Sequence, residues 1–225
     1  MCGRYELHTR TSEIARRFDA QLIESMQESA PRYNVAPSTA VPVVREGRHG
    51  RVLEPMSWGL VPGWCKDLSG PKPINARVET VFDKPMFRSG IRRRRCLIPA
   101  DGFYEWKAGG ARKQPYWIGM ADHALFAFAG IWEYWAKEGA DPLISCAIVV
   151  GEANALICAI HDRMPVIVAP EDYARWLDPA LDAREAIEPM LRPYPAELMR
   201  AYPVGTRVND VRNDDAALLD PVPVG

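Results

Sequence analysis

The sequence predicts a single domain with a strand-rich, mixed α and β fold. Its 225 residues include twenty prolines and sixteen glycines, which predicts many turns. Short apolar runs recur between these turns and are typical of strands, whereas helical spacing is confined to a few stretches. No internal repeat, low-complexity tract or linker divides the chain, so we interpret residues 1–225 as one domain.

In the N-terminal half, residues 11–29 are predicted to form the first helix. Apolar residues recur from Ile14 at helical spacing, and Thr11 or Ser12 can cap the start. An extended segment is predicted at 32–37 and two strands at 41–45 and 51–56. A long loop is predicted at 58–73 and the start of a second helix at 75–82. Because long loops in compact domains are usually functional, the segment 58–73 is a candidate part of a site.

In the second half, four arginines lead into an apolar strand within residues 91–99. A hairpin with a Gly-Gly turn is predicted next, followed by further strands, two helices and a final strand or loop. The hairpin strands are 102–107 and 114–120, the later strands 125–132, 143–150 and 166–169, the helices 170–177 and 181–191, and the last element 204–211.

Composition excludes several classes of protein. The hydrophobic share of 48% and charged share of 25% are ordinary for a soluble domain. No apolar stretch is long enough to span a membrane, and the start has no signal-peptide core, so we expect a cytoplasmic or nucleoid location. The five cysteines form no C-x-x-C pair, which argues against a zinc or redox motif and favours free thiols in a reducing compartment. Cys146 and Cys158 lie in apolar runs and are predicted to be small core residues.

Charge is distributed unevenly along the chain although the net charge is only −1. Residues 1–120 hold 20 Lys and Arg against 12 Asp and Glu, and residues 121–225 hold 8 against 17. A basic half predicts a face for a polyanion such as nucleic acid. The alternative is that the two halves attract each other within the fold, and charge alone leaves both open.

The second residue offers the most specific chemistry. Because Cys2 has a small side chain, we expect removal of Met1, which leaves an amine and a thiol on adjacent carbons. Such an aminothiol condenses with an aldehyde to a Schiff base, and the thiol then closes a thiazolidine ring. An α-amine has a pKa of about 7.7–8.0, so a large minority is nucleophilic at neutral pH. Arg4 can supply positive charge that favours the thiolate. The alternative is an incidental cysteine near a frayed terminus.

Three further polar clusters can serve this chemistry. Asn75 can orient an aldehyde or sugar hydroxyl, and Arg77 can bind a phosphate bidentately, although a helix cap and surface charge are also consistent. Glu105 lies in an aromatic strand, where burial raises a carboxyl pKa and suits proton transfer, unless the side chain faces outward. His161 is a candidate general acid or base or else a structural histidine.

Aromatic and basic residues complete the candidate set. Trp58, Trp64 and Trp106 can stack bases, and Pro37 can wedge between them. Phosphate contacts are predicted for the arginines at 32, 88 and 92–95. The alternative is that these tryptophans belong to the core and the arginines to a solvated surface.

Seven strings in order resemble the SOS response-associated peptidase (SRAP) family. They are M-C-G-R at 1–4, R-Y-N-V-A-P at 32–37, W-G-L-V-P-G-W at 58–64, I-N-A-R-V-E-T at 74–80, M-F at 86–87, A-D-G-F-Y-E-W-K at 100–107 and I-H-D-R-M-P at 160–165. The resemblance implies an α+β fold with a barrel-like, mainly antiparallel sheet and flanking helices. It also implies a basic channel for single-stranded DNA and a thiazolidine cross-link to abasic sites, with neither cofactor nor metal.

The resemblance also implies residue roles. Cys2 is expected to be the nucleophile, Asn75 the orienting amide, Glu105 the proton-transfer carboxylate and His161 the residue that assists sugar-ring opening and reversal. DNA contacts are expected from the following residues: Arg4, Asn34, Pro37, Trp64, Arg77 and Trp106. We expect a monomer whose partners are abasic single-stranded DNA and replication-fork proteins.

Two departures from the family pattern weaken the expected DNA contacts. Cys65 stands where many members have a second aromatic residue, and residues 149–151 (Val-Val-Gly) replace a hydroxyl-bearing stretch. Two other functions stay open. One is a thiol peptidase built from Cys2, His161 and Asn75, whose main expected reaction is self-cleavage that removes Met1. The other is a non-catalytic module that binds single strands.

Overall fold

A computed structural model describes residues 2–23, 26, 28–109 and 113–223. Met1, residues 24, 25 and 27 of the predicted first helix, and Gly110 of the predicted Gly-Gly turn lie outside the described residues. Within the described part of the chain, no helix is long and apolar enough to cross a membrane.

The secondary structure consists of many short strands and a few short helices. The strands are, in chain order, β1 (Tyr5–Leu7), β2 (Ala20–Leu22), β3 (Arg32–Val35), β4 (Ala40–Gly47), β5 (Gly50–Trp58), β6 (Asn75–Arg77), β7 (Arg95–Ala100), β8 (Gly102–Lys107), β9 (Gln114–Met120), β10 (Phe126–Trp135), β11 (Leu143–Glu152), β12 (Arg163–Pro165) and β13 (Met199–Pro203). The helices are α1 (Thr11–Arg17), α2 (Arg88–Arg93), α3 (Tyr173–Leu177) and α4 (Arg184–Ile187).

The strands form two sheets. The first is antiparallel and has the order β13-β9-β8-β1-β3. The second has the order β12-β11-β10-β7-β4-β5-β2, and β6 joins it as a parallel partner of β11. An additional parallel pairing between β11 and β5 bends this sheet back on itself, so it is partly ring-like. The predicted α+β fold with a mainly antiparallel, barrel-like sheet is confirmed.

Aromatic side chains join the two sheets in the core. Tyr5 of the first sheet packs edge-on against Trp58 and Phe128 of the second, at centroid distances of 5.4 and 5.8 Å. Phe103 of β8 contacts the same Phe128 at 5.8 Å. Such edge-to-face pairs add about 0.5–1.5 kcal/mol each to the burial of their apolar area. The N-terminal strand is therefore fixed between the sheets from its first residues.

A polar cluster lies at the far end of β1. The Glu6 carboxylate accepts a hydrogen bond of 2.6 Å from Trp117 Nε1 and lies 3.3 Å from His8 Nδ1. Asp101 Oδ2 accepts from the backbone N–H groups of His8 and Thr9 at 2.7 and 2.8 Å, and Asp101 Oδ1 accepts from Thr9 Oγ1 at 2.6 Å. These bonds tie the end of β1 to the turn before β8.

The predicted first helix is wrong in its length. Helix α1 begins at Thr11 but ends at Arg17, and Asp19 then takes a left-handed backbone with φ of 51°. Residues 20–22 become β2, which pairs in parallel with β5. Pairing with the sheet therefore outweighs helical spacing after Phe18.

The helix predicted to start within residues 75–82 is also wrong. Residues 75–77 form β6, held on β11 in the register Asn75↔Ile148 and Arg77↔Val150. The strand predicted at 166–169 is limited to a bridge between Ile167 and Phe128, and the paired segment is β12 just before it.

Several other predictions are confirmed. The structure contains the strand pair β4–β5, the hairpin β8–β9 and the long strands β10 and β11.

One of two predicted elements near the C-terminus differs from the prediction. The predicted helix 181–191 is shorter, because only Arg184–Ile187 is α-helical before a 3-10 turn. The tail at 204–211, predicted as a strand or a loop, contains a 3-10 turn at Thr206–Asn209, so the loop alternative holds.

Candidate functional site

Cys2 lies in the seam between the two sheets. The backbone N–H of Tyr104 donates to Arg4 O at 3.0 Å, so the β1–β8 ladder continues toward Cys2. From the second sheet, Asn75 Nδ2 donates to Cys2 O at 2.9 Å. Cys2 itself is completely buried. Two strands far apart in sequence therefore position the same residue.

The electrostatic environment of the Cys2 thiol favours its neutral form. Burial raises the pKa of this thiol well above its usual range, and the negative charge of Glu105 raises it further. The backbone N–H of Arg4 hydrogen bonds to the sulfur and lowers the pKa by less. Glu105 projects from β8 and is only 2% exposed. Formation of a bond by the sulfur therefore requires a nearby proton acceptor, and the neighbouring carboxylate meets that need.

The Arg4 guanidinium is bound to groups other than the Cys2 thiol. Its Nη1 donates to Asn34 Oδ1 at 2.8 Å and to Val208 O at 2.9 Å. Arg4 acts on Cys2 through its backbone amide instead, because its side chain extends across β3 toward the C-terminal segment.

Asn75 has one occupied and one open hydrogen-bonding group. Its amide nitrogen binds the Cys2 carbonyl, whereas its buried Oδ1 accepts no hydrogen bond from any residue that the structure describes. A buried acceptor without a donor costs about 1–3 kcal/mol, so a bound molecule that donates a hydrogen bond here removes a penalty. The indole of Trp58 fixes this strand by donating to Ile74 O at 3.0 Å.

His161 and Arg77 lie toward the other end of β6 and β11. Nδ1 of His161 lies 2.9 Å from Asp162 Oδ1 and 3.0 Å from the Arg163 backbone nitrogen. Its side chain is 28% exposed. Arg163 forms an ion pair with Glu79, just beyond β6. Arg77 shares its side of the strand with Asn75, since strand residues two apart face the same way, and Arg77 is exposed.

Asn34 connects β3 to the C-terminal segment through hydrogen bonds within the protein. It is buried, and its Nδ2 reaches three backbone carbonyls of the C-terminal segment. These are the carbonyls of Val208 at 3.3 Å, Asp210 at 3.1 Å and Asn213 at 2.7 Å. With its Oδ1 bound to Arg4, this amide is saturated by protein groups, which favours an indirect role in any DNA contact. Arg4 lies 6.0 Å above the Trp106 ring, whose Nε1 donates to Asn209.

The candidate aromatic and wedge residues differ in their exposure to solvent. Trp58 is completely buried, so the expectation that it stacks on bases is wrong and the core alternative holds. Trp64 is 62% exposed and Trp106 is half-buried. Pro37 is half-buried in the turn after β3, which Arg32 braces by donating to Ala40 O at 2.9 Å and Thr39 Oγ1 at 3.1 Å.

The four arginines at 92–95 bind groups of the acidic second half of the chain. Arg95 is buried and donates to the Trp176 and Asp178 carbonyls, among others. Arg92 donates to Asp182 O, Arg93 pairs with the Asp182 carboxylate at 3.4 Å, and Arg94 pairs with Glu133 at 2.5 Å. The contacts of this run therefore support internal attraction between the two halves over a phosphate-binding face.

Of the two cysteines predicted to lie in the core, one is buried and the other is exposed. Cys146 is buried as predicted, but Cys158 is exposed in the 3-10 turn Ile157–Ala159, so its placement in the core was wrong. All five cysteines are free thiols. Within the described ranges, no three side chains of His, Cys, Asp or Glu are arranged to hold a metal ion.

Comparison with known proteins identifies the family. A family model described as "SOS response associated peptidase (SRAP)" matches residues 1–211. The chain belongs to the SRAP family. Abasic site processing protein YoaM of Bacillus subtilis is 42% identical over 98% of both chains, and abasic site processing protein YedK of Escherichia coli is 34% identical over 99% of this chain and 100% of its own. A crystal structure of a Bacteroides thetaiotaomicron protein superposes with a TM-score of 0.89 at 26% identity, covering 99% and 100% of the two chains.

The structure exposes one aromatic residue near Trp64 that the sequence patterns did not single out. Tyr134 is 51% exposed at the end of β10 and lines the same cleft as Trp64. The two residues are distant in sequence, and Tyr134 lies in an apolar run that is typical of a core strand. No local signal marks it as a site residue.

Proposed function

We propose that this SRAP protein processes abasic sites in single-stranded DNA by forming a covalent thiazolidine through Cys2. The observation that carries the proposal is the convergence of Asn75 and Glu105, from different sheets, on the buried Cys2. Its curated relatives are named abasic site processing proteins, which supports the same substrate.

The reaction begins once Met1 is removed and the Cys2 amine is free. The Cys2 ammonium gives a proton to the Glu105 carboxylate, and the free amine attacks the aldehyde carbon of the ring-opened abasic sugar and gives a carbinolamine. Loss of hydroxide as water, with a proton from Glu105, leaves an iminium. The sulfur then bonds to the same carbon while its proton passes to the Glu105 carboxylate, which restores the acid. The net result is one thiazolidine and one water.

The neighbouring residues have distinct parts in this scheme. Glu105 raises the pKa of the thiol through its charge, and that repulsion disappears when the thiol proton moves to the carboxylate. The open Oδ1 of Asn75 accepts a hydrogen bond from the sugar hydroxyl or the carbinolamine. His161 assists ring opening of the sugar and reversal of the adduct as a general acid or base.

The DNA strand contacts exposed and half-buried groups on the protein surface. Arg77 binds a phosphate, Trp64 and Trp106 stack on bases, and Pro37 separates neighbouring bases. Arg4 contributes its remaining guanidinium donors, and Asn34 acts by holding Arg4 in place.

Intact-mass measurement of the purified protein tests the proposal. We expect a mass lacking one methionine and, after addition of an abasic oligonucleotide, a gain equal to the oligonucleotide less one water. The adduct should persist after denaturation without a reductant, because a closed thiazolidine does not hydrolyse as readily as an imine. An added residue before Cys2 should abolish it. A stable adduct from a blocked N-terminus contradicts the mechanism.

The structure gives less support to a general thiol peptidase. A cysteine peptidase begins with attack by a thiolate, and the Cys2 thiol is completely buried with a raised pKa. In the proposed cross-link, by contrast, the α-amine attacks first and the sulfur bonds to the same carbon only afterwards. Removal of Met1 is the peptidase reaction most compatible with this burial, because the scissile bond is already attached to Cys2.

A further inference from the structure

The strand β3, at the edge of the first sheet, carries one residue more than the stretch of β1 with which it pairs. The register runs from Tyr5↔Val35 to Leu7↔Arg32, which is two steps along β1 and three along β3. An extra residue of this kind forms a β-bulge, which leaves backbone groups of the bulged strand without a partner in the ladder. The bulge therefore lies at residues 33–34.

A carboxylate of the C-terminal segment binds the backbone at this bulge. Asp214 Oδ1 accepts hydrogen bonds from the backbone N–H of Tyr33 and, at 2.9 Å, from that of Asn34. Successive residues of a regular strand point in opposite directions, so an acceptor shared by two successive N–H groups is consistent with the bulge. The Tyr33 carbonyl, in turn, accepts from the Tyr104 hydroxyl at 2.8 Å. These backbone groups are therefore bound by side chains instead of a neighbouring strand.

The Asn34 side chain lies between the C-terminal segment and Arg4. Bulges redirect the side chains next to them. Here Asn34 Nδ2 donates to three backbone carbonyls within residues 208–213, and Asn34 Oδ1 accepts from Arg4 Nη1 at 2.8 Å. Arg4 Nη1 also donates to Val208 O at 2.9 Å. One connected set of hydrogen bonds therefore joins β3 and the C-terminal segment to the guanidinium of Arg4.

Arg4 connects this set of hydrogen bonds to Cys2. The ladder between β1 and β3 starts at Tyr5, so it does not extend to residues 2–4. The Arg4 side chain links β3 to that stretch, and the Arg4 backbone N–H hydrogen bonds to the Cys2 sulfur. A shift of Asn34 is therefore passed through Arg4 to the backbone that holds the sulfur.

We propose that Asp214 is a positioning residue for the reaction at Cys2. By binding the bulge of β3, Asp214 holds Asn34 against the Arg4 guanidinium and thereby keeps the Arg4 N–H at the Cys2 sulfur. The inference rests on the proposed function and extends its site to the C-terminal segment. Asp214 lies beyond residues 1–211, which the SRAP family model matches, so the family resemblance assigns it no role.

The experiment measures single-turnover adduct formation over a range of concentrations of an abasic single strand. The limiting rate at saturation reports on the placement of Cys2, whereas the concentration at half-saturation reports on affinity for the strand. We expect Asp214→Ala to lower the limiting rate by about 10- to 100-fold, up to the loss that a displacement of about 1 Å can cause. Asp214→Asn keeps an oxygen acceptor and should react at nearly the wild-type rate.

Asp220→Ala is the matched control, because it removes the same charge from another exposed position of the C-terminal segment. Its limiting rate should equal that of the wild type. Urea unfolding verifies that each variant is folded under the assay conditions. If Asp214→Ala is not, Asp214→Ser takes its place, since its oxygen lies one bond nearer the backbone than a carboxylate oxygen. A limiting rate of Asp214→Ala equal to that of the wild type, or equal losses in Asp214→Ala and Asp220→Ala, overturns the proposal.

Hydrogen exchange without DNA separates this proposal from the proposed function. Measured residue by residue with NMR, exchange at the Arg4 and Asn34 amides should be faster in Asp214→Ala than in the wild type and Asp220→Ala. If the wild type forms no adduct, the Cys2 mechanism is refuted, and unchanged exchange at Arg4 then refutes the positioning as well. Equally fast adduct formation by the wild type and Asp214→Ala refutes the positioning role alone.

Discussion

Two clusters with buried carboxylates lie at opposite ends of β1, and they differ in how far their polar groups are satisfied. At the far end, Glu6 and Asp101 accept hydrogen bonds from Trp117, Thr9 and two backbone amides. In the seam, Glu105 lies near a thiol that it disfavours as an anion, and Asn75 Oδ1 has no donor within the described chain. The hydrogen bonds of the first cluster stabilise the fold, whereas in the second cluster the Asn75 Oδ1 acceptor is open to a donor.

The largest effect that tests this contrast is expected from Cys2→Ala. The variant retains an amine that can form an imine but has no sulfur to close the ring, so stable adduct should fall to background on denaturing gels. Cys158→Ala removes an exposed thiol and should react like the wild type. Retention of a stable adduct by Cys2→Ala would place the chemistry elsewhere.

Glu105→Gln should slow adduct formation by about 100-fold or more, the usual contribution of a positioned acid or base. Single-turnover gels with an abasic strand measure the rate, and anisotropy with an undamaged strand should show nearly unchanged affinity. Glu54→Gln replaces a buried carboxylate on β5 and controls for burial. If Glu105→Gln loses rate and binding together, Glu105 is a structural residue.

Asp101→Ala should destabilise the protein by about 2–4 kcal/mol, because the N–H groups of His8 and Thr9 lose a charged acceptor. Urea unfolding measures the loss, and the exposed Asp141→Ala provides the comparison. Folded Asp101→Ala should still cross-link below its unfolding midpoint. Undiminished stability would show that this cluster is not structural.

The smallest expected effect concerns His8. Its hydrogen bond to Glu6, with help from the Asp101 charge, raises the pKa of His8 despite partial burial. Its protonated form therefore stabilises the fold fully below the unfolded pKa of about 6.5, and this contribution is lost as pH rises through the higher folded pKa. Because His8 is 43% exposed, the difference from His8→Gln should stay below about 1 kcal/mol.

Urea midpoints of the wild type and His8→Gln at pH 6 and pH 9 give that measurement. The gap between the two proteins should narrow at the higher pH. His49→Gln, on the exposed β4–β5 turn, should show no such trend, and a gap that widens with pH would reverse the sign argued for His8.

The sequence patterns predicted the strands whose hydrogen-bonded partner strands are close to them in the chain. The hairpin β8–β9 and the strand pair β4–β5 have short connections and clear turn signals, so the sequence located them well. The short strands β1, β6 and β13 were missed because their partners lie far along the chain. Residues 75–77, for instance, are extended only because β11 supplies their hydrogen bonds.

The candidate site was predictable in part for the same reason. Motifs suggested Cys2, Asn75 and Glu105, and the fold brings Asn75 and Glu105 close to Cys2. The burial of Trp58 and the internal pairing of Arg92–Arg95 had no local signature, since both depend on which face of an element meets the core. The exposure of Tyr134 had no local signature either. Most residues of β10 are apolar, so the alternation of buried and exposed positions is not visible in the sequence.

The complete burial of Cys2 has a practical consequence for reagents that attack thiols. Alkylating agents and oxidants should modify Cys158 first and half-buried Cys65 next, while the thiol in the seam is shielded together with Cys96 and Cys146. If Cys2 reacts with aldehydes as proposed, such shielding makes that reaction more selective. Peptide mapping after brief exposure to iodoacetamide should reveal this order of labelling.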